Sequence, residues 1–172
     1  MENIITISNL SEEEKDATRE VLLSSYQQYK NSYKTIEEFN EYMSHIEVSL
    51  DNPYIDRVLV AKDNDNQILG TLQIYLNSED AYGRSEPTIH APIVRLLGVH
   101  PAARGKGIAR KLLQESIDYA KQKGSPSLYL HTGEIMKDAI RLYERFGFKR
   151  DHSKEFQKNE DVFVRCYRFD ID

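Results

Sequence analysis

The sequence predicts a mixed α/β fold, in which a mostly antiparallel sheet contains one central parallel strand pair. Residues 93–130 have the pattern of a strand, a helix and a second strand, an order that gives a parallel pair joined by a right-handed crossover. The segments on either side are short strand patterns with tight turns, which favour antiparallel pairing. With 172 residues, 40% hydrophobic and 30% charged, the chain suits a single globular domain over residues 1–172.

The first part of the chain predicts one strand followed by two helices. Residues 4–7 are a short apolar strand candidate. Ser11 and Glu14 have the spacing of a capping box, which begins the first helix. Thr35 repeats this signal, and the second amphipathic helix ends before Pro53.

The next segment predicts a hairpin. Strands over residues 57–61 and 68–76 flank an alternating Asp and Asn run at residues 63–66, which is typical of a tight turn. Polar residues 77–88 then predict a mobile loop, and a strand is expected from about residue 91 to 99.

Residues 96–113 organise the rest of the fold. An apolar run ends at Pro101, a turn with two glycines follows, and an amphipathic helix begins. A helix start leaves four N–H groups unpaired and concentrates about half a positive charge, so residues 104–109 suit an anion. Gly105 and Gly107 permit the backbone to approach phosphate oxygens closely. Four cationic side chains surround this loop: Arg104, Lys106, Arg110 and Lys111.

Two familiar glycine loops do not match this segment. A nucleotide-binding P-loop needs Ser or Thr after its lysine, whereas Gly107 follows Lys106. A dinucleotide fingerprint needs a third glycine where this chain has Arg110. The anion is therefore held by a different kind of loop.

The C-terminal third predicts three more strands and one helix. Gly124 ends the main helix, and a buried strand follows at residues 128–131. A short helix ends at Gly147 and is followed by a strand candidate. Residues 151–161 predict a charged loop, and residues 162–169 alternate as a last strand.

Two segments together resemble the GNAT superfamily of acyl-CoA N-acyltransferases. Residues 104–109, Arg-Gly-Lys-Gly-Ile-Ala after a hydrophobic strand, are similar to motif A, [QR]-x-x-G-x-[GA]. Residues 139–148, Ala-Ile-Arg-Leu-Tyr-Glu-Arg-Phe-Gly-Phe, look like the A-x-x-L-Y-x-x-x-G-F of motif B. The resemblance covers about residues 94–149, roughly a third of the chain, and is architectural outside them.

The resemblance implies a fold and a cofactor. The parallel strands would be splayed around the cofactor, with helices on both faces of the sheet, and acetyl-CoA would be the acyl donor. The main chain of Leu97 and Val99 would pair with the pantetheine amides. The pyrophosphate would lie on the amides of the motif A residues, namely Arg104, Gly105, Lys106, Gly107, Ile108 and Ala109.

The resemblance also implies an activity, the transfer of an acetyl group to a primary amine of a small molecule or peptide within a ternary complex. Tyr143 would donate to the sulfur of the leaving group, and the N–H of Val99 would meet the oxyanion. An alternative is a non-catalytic acyl-CoA-binding sensor or interaction domain. This alternative is favoured by Arg95, where many members carry Glu, and by Met136, where Asn often contacts the cofactor.

The general base is the least determined role. His131 is favoured because it ends the strand beside the expected cleft and titrates near neutral pH. The other candidates are Glu47, Glu86, His90 and Asp138. Aromatic residues of the N-terminal helices and loops are candidates for the core or for an acceptor pocket: Tyr26, Tyr29, Tyr33, Phe39, Tyr42, Tyr54 and Tyr82.

Composition limits the partners and the location. A net charge of −5 disfavours general nucleic-acid binding, and four clustered bases suit one coenzyme better than a duplex. The chain has no run of 18 apolar residues and no export signal, and its lone Cys166 cannot form an internal disulfide. We therefore expect a cytoplasmic protein without a membrane partner or a metal. A homodimer is compatible with this prediction.

Overall fold

The computed structural model describes residues 4–84 and 86–172. The chain divides into two compact units. Unit 1 comprises Met1–Ile74 and Leu96–Glu115, and unit 2 comprises Tyr75–Arg95 and Ser116–Asp172. The expectation of a single domain over residues 1–172 stays a prediction.

Unit 1 combines antiparallel strands with the N-terminal helices. Its strands are β1 (Thr6–Asn9), β2 (Arg57–Lys62), most of β3 (Ile68–Tyr75) and the second half of β4 (Ile93–Val99), in the order β1-β2-β3-β4. Its helices are α1 (Lys15–Tyr26), α2 (Ile36–Val48) and the start of α4 (Ile108–Gln122). β1 begins two residues later than predicted, because pairing of Thr6 with Lys62, rather than apolar content, sets its start.

The predicted helix starts in unit 1 are confirmed. The Ser11 N–H donates to Glu14 Oε1 at 3.0 Å, which completes the capping box and begins a short 3-10 turn before α1. The Thr35 hydroxyl accepts from the Glu38 N–H at 3.1 Å at the start of α2. The apolar faces of the helices and strands form a core that includes Leu22, Phe39, Ile46, Val60, Leu72, Ile108, Leu112 and Leu113.

Unit 2 contains the parallel pair. Its strands are the first half of β4, then β5 (Ser127–Gly133), β6 (Lys149–Arg150), β7 (Phe156–Gln157) and β8 (Phe163–Asp170). Its helices are α3 (Ser78–Tyr82), the end of α4 and α5 (Lys137–Phe146). β4 pairs in parallel with β5 at Ile93 and Val94, while β8 pairs antiparallel with β5, β6 and β7. The prediction of a mixed α/β fold with a mostly antiparallel sheet is confirmed.

Two predicted loops contain regular structure. Residues 77–88 include α3, which begins where the Asn77 side chain accepts from the Asp80 N–H at 2.8 Å. The polar capping residue and acidic first turn of α3 have the composition of a loop, so sequence periodicity could not distinguish this helix from a loop. Residues 151–161 include β7, which exists because Phe156 pairs with Val164 of β8.

An irregularity in the backbone of β4 lies at Leu96. Leu96 has a φ of +53°, a left-handed conformation that is unusual for a bulky residue. Gly98 permits close packing, because a Cβ there would lie 2.4 Å from the Ser25 Oγ of α1. The glycine therefore allows β4 to approach α1.

Two kinds of feature are missing from residues 4–84 and 86–172. No helix there combines the length and apolar character needed to cross a bilayer. No group of three or more His, Cys, Asp or Glu side chains in the same residues could hold a metal ion. Cys166 is buried within β8, as its alternating pattern predicts.

Candidate coenzyme A loop and acyl-transfer residues

The loop before α4 lies in unit 1 and presents unpaired main-chain donors. A 3-10 turn over Pro101–Ala103 ends β4, and α4 begins at Ile108. Within the described part of the chain, the N–H groups of residues 105–109 have no protein acceptor. The expectation that the Arg104 N–H is also unpaired is wrong, because it donates to the Pro101 carbonyl at 3.5 Å in the 3-10 turn. The Lys111 N–H donates to the Gly107 carbonyl at 3.1 Å. Exposed N–H groups at a helix start form an anion site.

The two glycines of the loop adopt left-handed conformations. Gly105 has a φ of +82° and Gly107 a φ of +76°. A Cβ at either position would meet no protein atom within 4 Å, so steric crowding by the protein does not require glycine there. The backbone conformation does, because a residue with a Cβ is strained at these angles.

The predicted cations do not all point into solvent. The Arg104 Nη2 donates to the Ser25 carbonyl of α1 at 3.0 Å, which fixes this guanidinium at the start of the loop. The side chains of Lys106 and Lys111 are exposed, as is that of Arg110, which makes a contact of its own. Lys106 and Lys111 are therefore exposed near the unpaired amides.

The strand before the loop is tied to α1. The Tyr26 hydroxyl donates to the Leu97 carbonyl at 3.1 Å. The main chain of Leu97 is expected to pair with pantetheine, and its carbonyl oxygen can accept a second hydrogen bond. Val99 ends β4, and the N–H of His100 donates to the Leu69 carbonyl of β3 at 2.8 Å.

Tyr143 lies in unit 2, on α5. Its side chain is buried, with its ring centroid 6.0 Å from that of Phe148 and 6.3 Å from that of Tyr167. α5 ends as predicted at Gly147, whose N–H donates to the Tyr143 carbonyl at 3.2 Å. These aromatic contacts hold the phenol in one position, as a residue that donates to a reacting atom requires.

His131 also lies in unit 2, and both of its ring nitrogens are engaged. Nε2 lies 3.1 Å from the Lys154 carbonyl, which can only accept, so Nε2 carries the hydrogen of the neutral ring. Nδ1 therefore accepts from the Tyr82 hydroxyl at 2.7 Å. Burial lowers the pKa of His131 to about 4, so the ring is neutral at pH 7.

The other four candidate bases lie at exposed positions. The side chains of Glu47, Glu86 and His90 are exposed, and Asp138 forms an ion pair with Arg141 on the surface of α5. The pairing of Tyr82 with His131 was not anticipated. No local pattern could reveal it, because the two residues are 49 positions apart.

A comparison with known protein families tests the resemblance predicted from the sequence. A family model described as "Acetyltransferase (GNAT) family" matches residues 15–148, well over half of the sequence. The chain belongs to the GNAT acetyltransferase family. The match includes both the motif A loop and the α5 segment, and it confirms the resemblance predicted from the sequence.

Relatives of this GNAT chain match over variable lengths. The uncharacterized N-acetyltransferase YjgM of Escherichia coli is 39% identical over 69 residues, covering 40% of this chain and 41% of that protein. A mycothiol acetyltransferase of Renibacterium salmoninarum is 33% identical over 54% of this chain and 26% of its own length. The IAA acetyltransferase of Azospirillum brasilense is 29% identical over 121 residues, covering 66% of this chain and 73% of that protein. The chain thus spans less than half of the first two proteins.

Solved structures share the GNAT fold over nearly the whole chain. The PaiA N-acetyltransferase from Thermoplasma acidophilum, in complex with coenzyme A, has a TM-score of 0.68 at 20% identity, covering 96% of this chain and 99% of that one. A GNAT acetyltransferase from Brucella melitensis, in complex with acetyl-CoA, has a TM-score of 0.61 at 18% identity, covering 99% and 92%. These likenesses confirm the predicted fold.

Proposed function

We propose that this chain is an acetyl-CoA-dependent N-acetyltransferase that acts on a primary amine of a small molecule or peptide. The observation that carries the proposal is the set of unpaired main-chain N–H groups at residues 105–109. Family membership and the coenzyme complexes of two structural neighbours also support it.

The motif A loop is proposed to hold the diphosphate of acetyl-CoA. Amides of residues 105–109 would donate to its oxygens, and the positive end of the α4 dipole would favour its negative charge. Lys106 and the anchored Arg104 add charge-assisted contacts. The main chain of Leu97 and Val99 is proposed to bind the pantetheine arm.

Tyr143 is proposed to assist the leaving group. The amine nitrogen attacks the thioester carbon, the carbon–sulfur bond breaks, and the phenol donates a hydrogen bond or its proton to the sulfur. An ordinary phenol and thiol differ by about 1.5 pKa units, so even full transfer costs only about 2 kcal/mol. The N–H of Val99 is proposed to meet the developing oxyanion.

His131 is proposed to act through Tyr82. Because Nδ1 already accepts from the Tyr82 hydroxyl, a proton from the attacking amine would reach the imidazole by way of that hydroxyl. A pKa of about 4 makes the ring too weak a base to deprotonate an ordinary ammonium group. The acceptor therefore has to bind with its amine neutral, and His131 would take the proton released after attack.

The decisive test is Tyr143→Phe, measured by titration calorimetry with acetyl-CoA and by release of free thiol in the presence of amines. We expect turnover to fall about tenfold to a hundredfold with unchanged acetyl-CoA affinity, because only the contact with the leaving group is lost. Tyr167→Phe is the matched control. Its buried hydroxyl bonds Glu144 at 2.8 Å, so this change should lower stability rather than chemistry.

The same two measurements on the wild-type chain separate the proposed enzyme from the sensor alternative. A wild-type chain that binds acetyl-CoA but releases no thiol with any amine of a broad library would favour a non-catalytic acyl-CoA-binding domain. The structural observation that favours this alternative is that both ring nitrogens of His131 already form hydrogen bonds. A cytoplasmic location and a homodimer stay predictions.

A further inference from the structure

Arg95 occupies an unusual position in unit 2. One of its guanidinium nitrogens donates to the Ala81 carbonyl of α3. The guanidinium carbon lies 4.9 Å from the ring centroid of Tyr82 and 5.8 Å from that of Tyr75. The side chain is half-buried and contacts these three groups.

No acid neutralises this cation. Among residues 4–84 and 86–172, no carboxylate lies within ion-pair distance of Arg95. Glu155, whose charge acts on the neighbouring His131, is already bonded to Arg150 Nε at 2.7 Å and to the Cys166 N–H at 3.1 Å. Glu155 is therefore neutralised by Arg150 and bonded to the main chain of Cys166.

A second cation adds to the charge. The guanidinium carbon of Arg84 lies 4.0 Å from the Phe156 ring centroid, and that ring lies 5.6 Å from the His131 ring. Both Arg84 and Arg95 act on His131 and help to keep it neutral. Tyr82, Arg84, Arg95, His131 and Phe156 thus form a cluster, termed here the Arg95 cluster, with two positive charges.

The contacts described so far do not fully compensate the positive charge of the Arg95 cluster. A partly buried charge without a counter-ion is unfavourable, and cation–π contacts offset only part of that cost. A guanidinium carries five N–H donors, of which the Ala81 carbonyl takes one. The remaining donors form a planar fork that matches an anionic oxygen group.

We propose that Arg95 binds an anionic oxygen group, a carboxylate or a phosphate, on the acceptor amine. This inference rests on the proposed acetyltransferase function and narrows its substrates to amines that carry an acid, such as amino acids. Polyamines are disfavoured because the cluster repels a second cation. The same positive charge lowers the pKa of a bound ammonium group, which supplies the neutral amine that the weakly basic His131 requires.

The experiment compares acceptors that share an amine but differ in the acid. One pair is an amino acid and its amide, such as alanine and alaninamide. Another pair is phosphoethanolamine and ethanolamine, and spermidine represents polyamines. Thiol release gives kcat/KM for each compound with wild type, Arg95→Gln, Arg95→Lys and the exposed control Arg145→Gln. A neighbouring carboxylate raises the pKa of an amine, so ionisation of the amine works against a preference for the acid.

We expect wild type to prefer the acid over its neutral twin by about tenfold to a hundredfold in kcat/KM, the range of a hydrogen-bonded charge pair. The pair that shows the preference identifies the group as carboxylate or phosphate. Arg95→Gln should abolish the preference, Arg95→Lys should keep part of it, and Arg145→Gln should keep all of it. Melting curves and acetyl-CoA affinity verify that each variant is folded.

Three results would overturn the proposal. The first is a wild-type chain that uses the neutral twins or spermidine as well as the acids, a measurement that depends on no variant. The second is an acid preference that survives in folded Arg95→Gln. Either leaves the acetyltransferase function intact. The third is acetyl-CoA binding without thiol release for any amine, which removes the proposed function and this inference with it.

Discussion

The motif A loop of unit 1 and the Arg95 cluster of unit 2 are both positive, but they are built differently. The loop presents main-chain N–H groups, and its charge comes from the start of a helix. The Arg95 cluster presents side chains of α3, β4, β5, β7 and the residue Arg84, and its charge comes from two arginines that form no ion pair within residues 4–84 and 86–172. The first is a product of local conformation, whereas the second depends on how distant segments pack.

This difference indicates which substitutions should disrupt each of the two regions. The loop tolerates changes of side chain at exposed positions but depends on two left-handed glycines. The Arg95 cluster depends on its side chains, because each contacts another: the Tyr82 hydroxyl bonds His131, and Arg95 lies over the Tyr82 ring. Three further predictions test this contrast.

The largest effect is expected from Gly107→Val. A β-branched residue is strained at a φ of +76°, so the loop should change conformation and turn its amides away. Coenzyme A affinity should fall about a hundredfold, or close to 3 kcal/mol, as charge-assisted hydrogen bonds are lost. Titration calorimetry with coenzyme A measures it.

Gly124→Val is the matched control for that change. Gly124 has a φ of +77°, and a Cβ there would also meet no protein atom within 4 Å. Both variants should lose about 1–2 kcal/mol of stability or more, but only Gly107→Val should lose affinity. Equal loss of affinity in both would mean that the loop does not hold the coenzyme through its backbone.

The next effect is the pH dependence caused by His131. Its pKa is about 4 in the folded chain against an ordinary 6.5, so between these values the unfolded chain binds a proton that the folded chain does not. The free energy of unfolding should therefore fall as the pH drops from about 6.5 towards 4, by an amount approaching roughly 3 kcal/mol.

Urea unfolding between pH 7 and pH 4 measures this dependence. His131→Gln should flatten the curve, because the group that titrates is gone. His90→Gln, at an exposed position, should leave the slope as it is in wild type. A slope unaltered by His131→Gln would show that other groups control acid stability and that His131 is not buried in its neutral form.

The smallest effect is expected from Gly98→Ala. The new Cβ would lie 2.4 Å from the Ser25 Oγ, so either this hydroxyl must rotate away from the Leu22 carbonyl or β4 and α1 must move apart, at a cost of about 1–3 kcal/mol. Ser25→Ala should recover part of that loss in the double variant, since the Ser25 Cβ still lies 3.2 Å away. Thermal unfolding of the single and double variants measures the coupling, and additive effects would contradict it.

Local signals explain what could be predicted. The strand, loop and helix over residues 96–113 follow from an apolar run, two glycines and a 3.6-residue period, all of which act within a few residues. The caps at Ser11 and Thr35 are equally local, and both are present. The unpaired amides of the motif A loop were therefore predictable, because these donors belong to the backbone.

Long-range packing explains what could not be predicted. α3 has five residues and a polar composition, and β7 is a two-residue strand held by β8. The engagement of His131 depends on Tyr82 and on the Lys154 carbonyl, which are distant in sequence. A candidate base can be named from its residue type, but its free lone pair depends on neighbours that tertiary structure supplies.

Leu96 divides β4 into two parts. The chain passes from one compact unit to the other between Arg95 and Leu96, and the backbone reverses its handedness at that leucine. Such a reversal interrupts the regular alternation of side chains along a strand. The seven residues of β4 thus form two short pieces, one paired with β5 and the other leading to the motif A loop, and the side-chain alternation of one does not continue into the other.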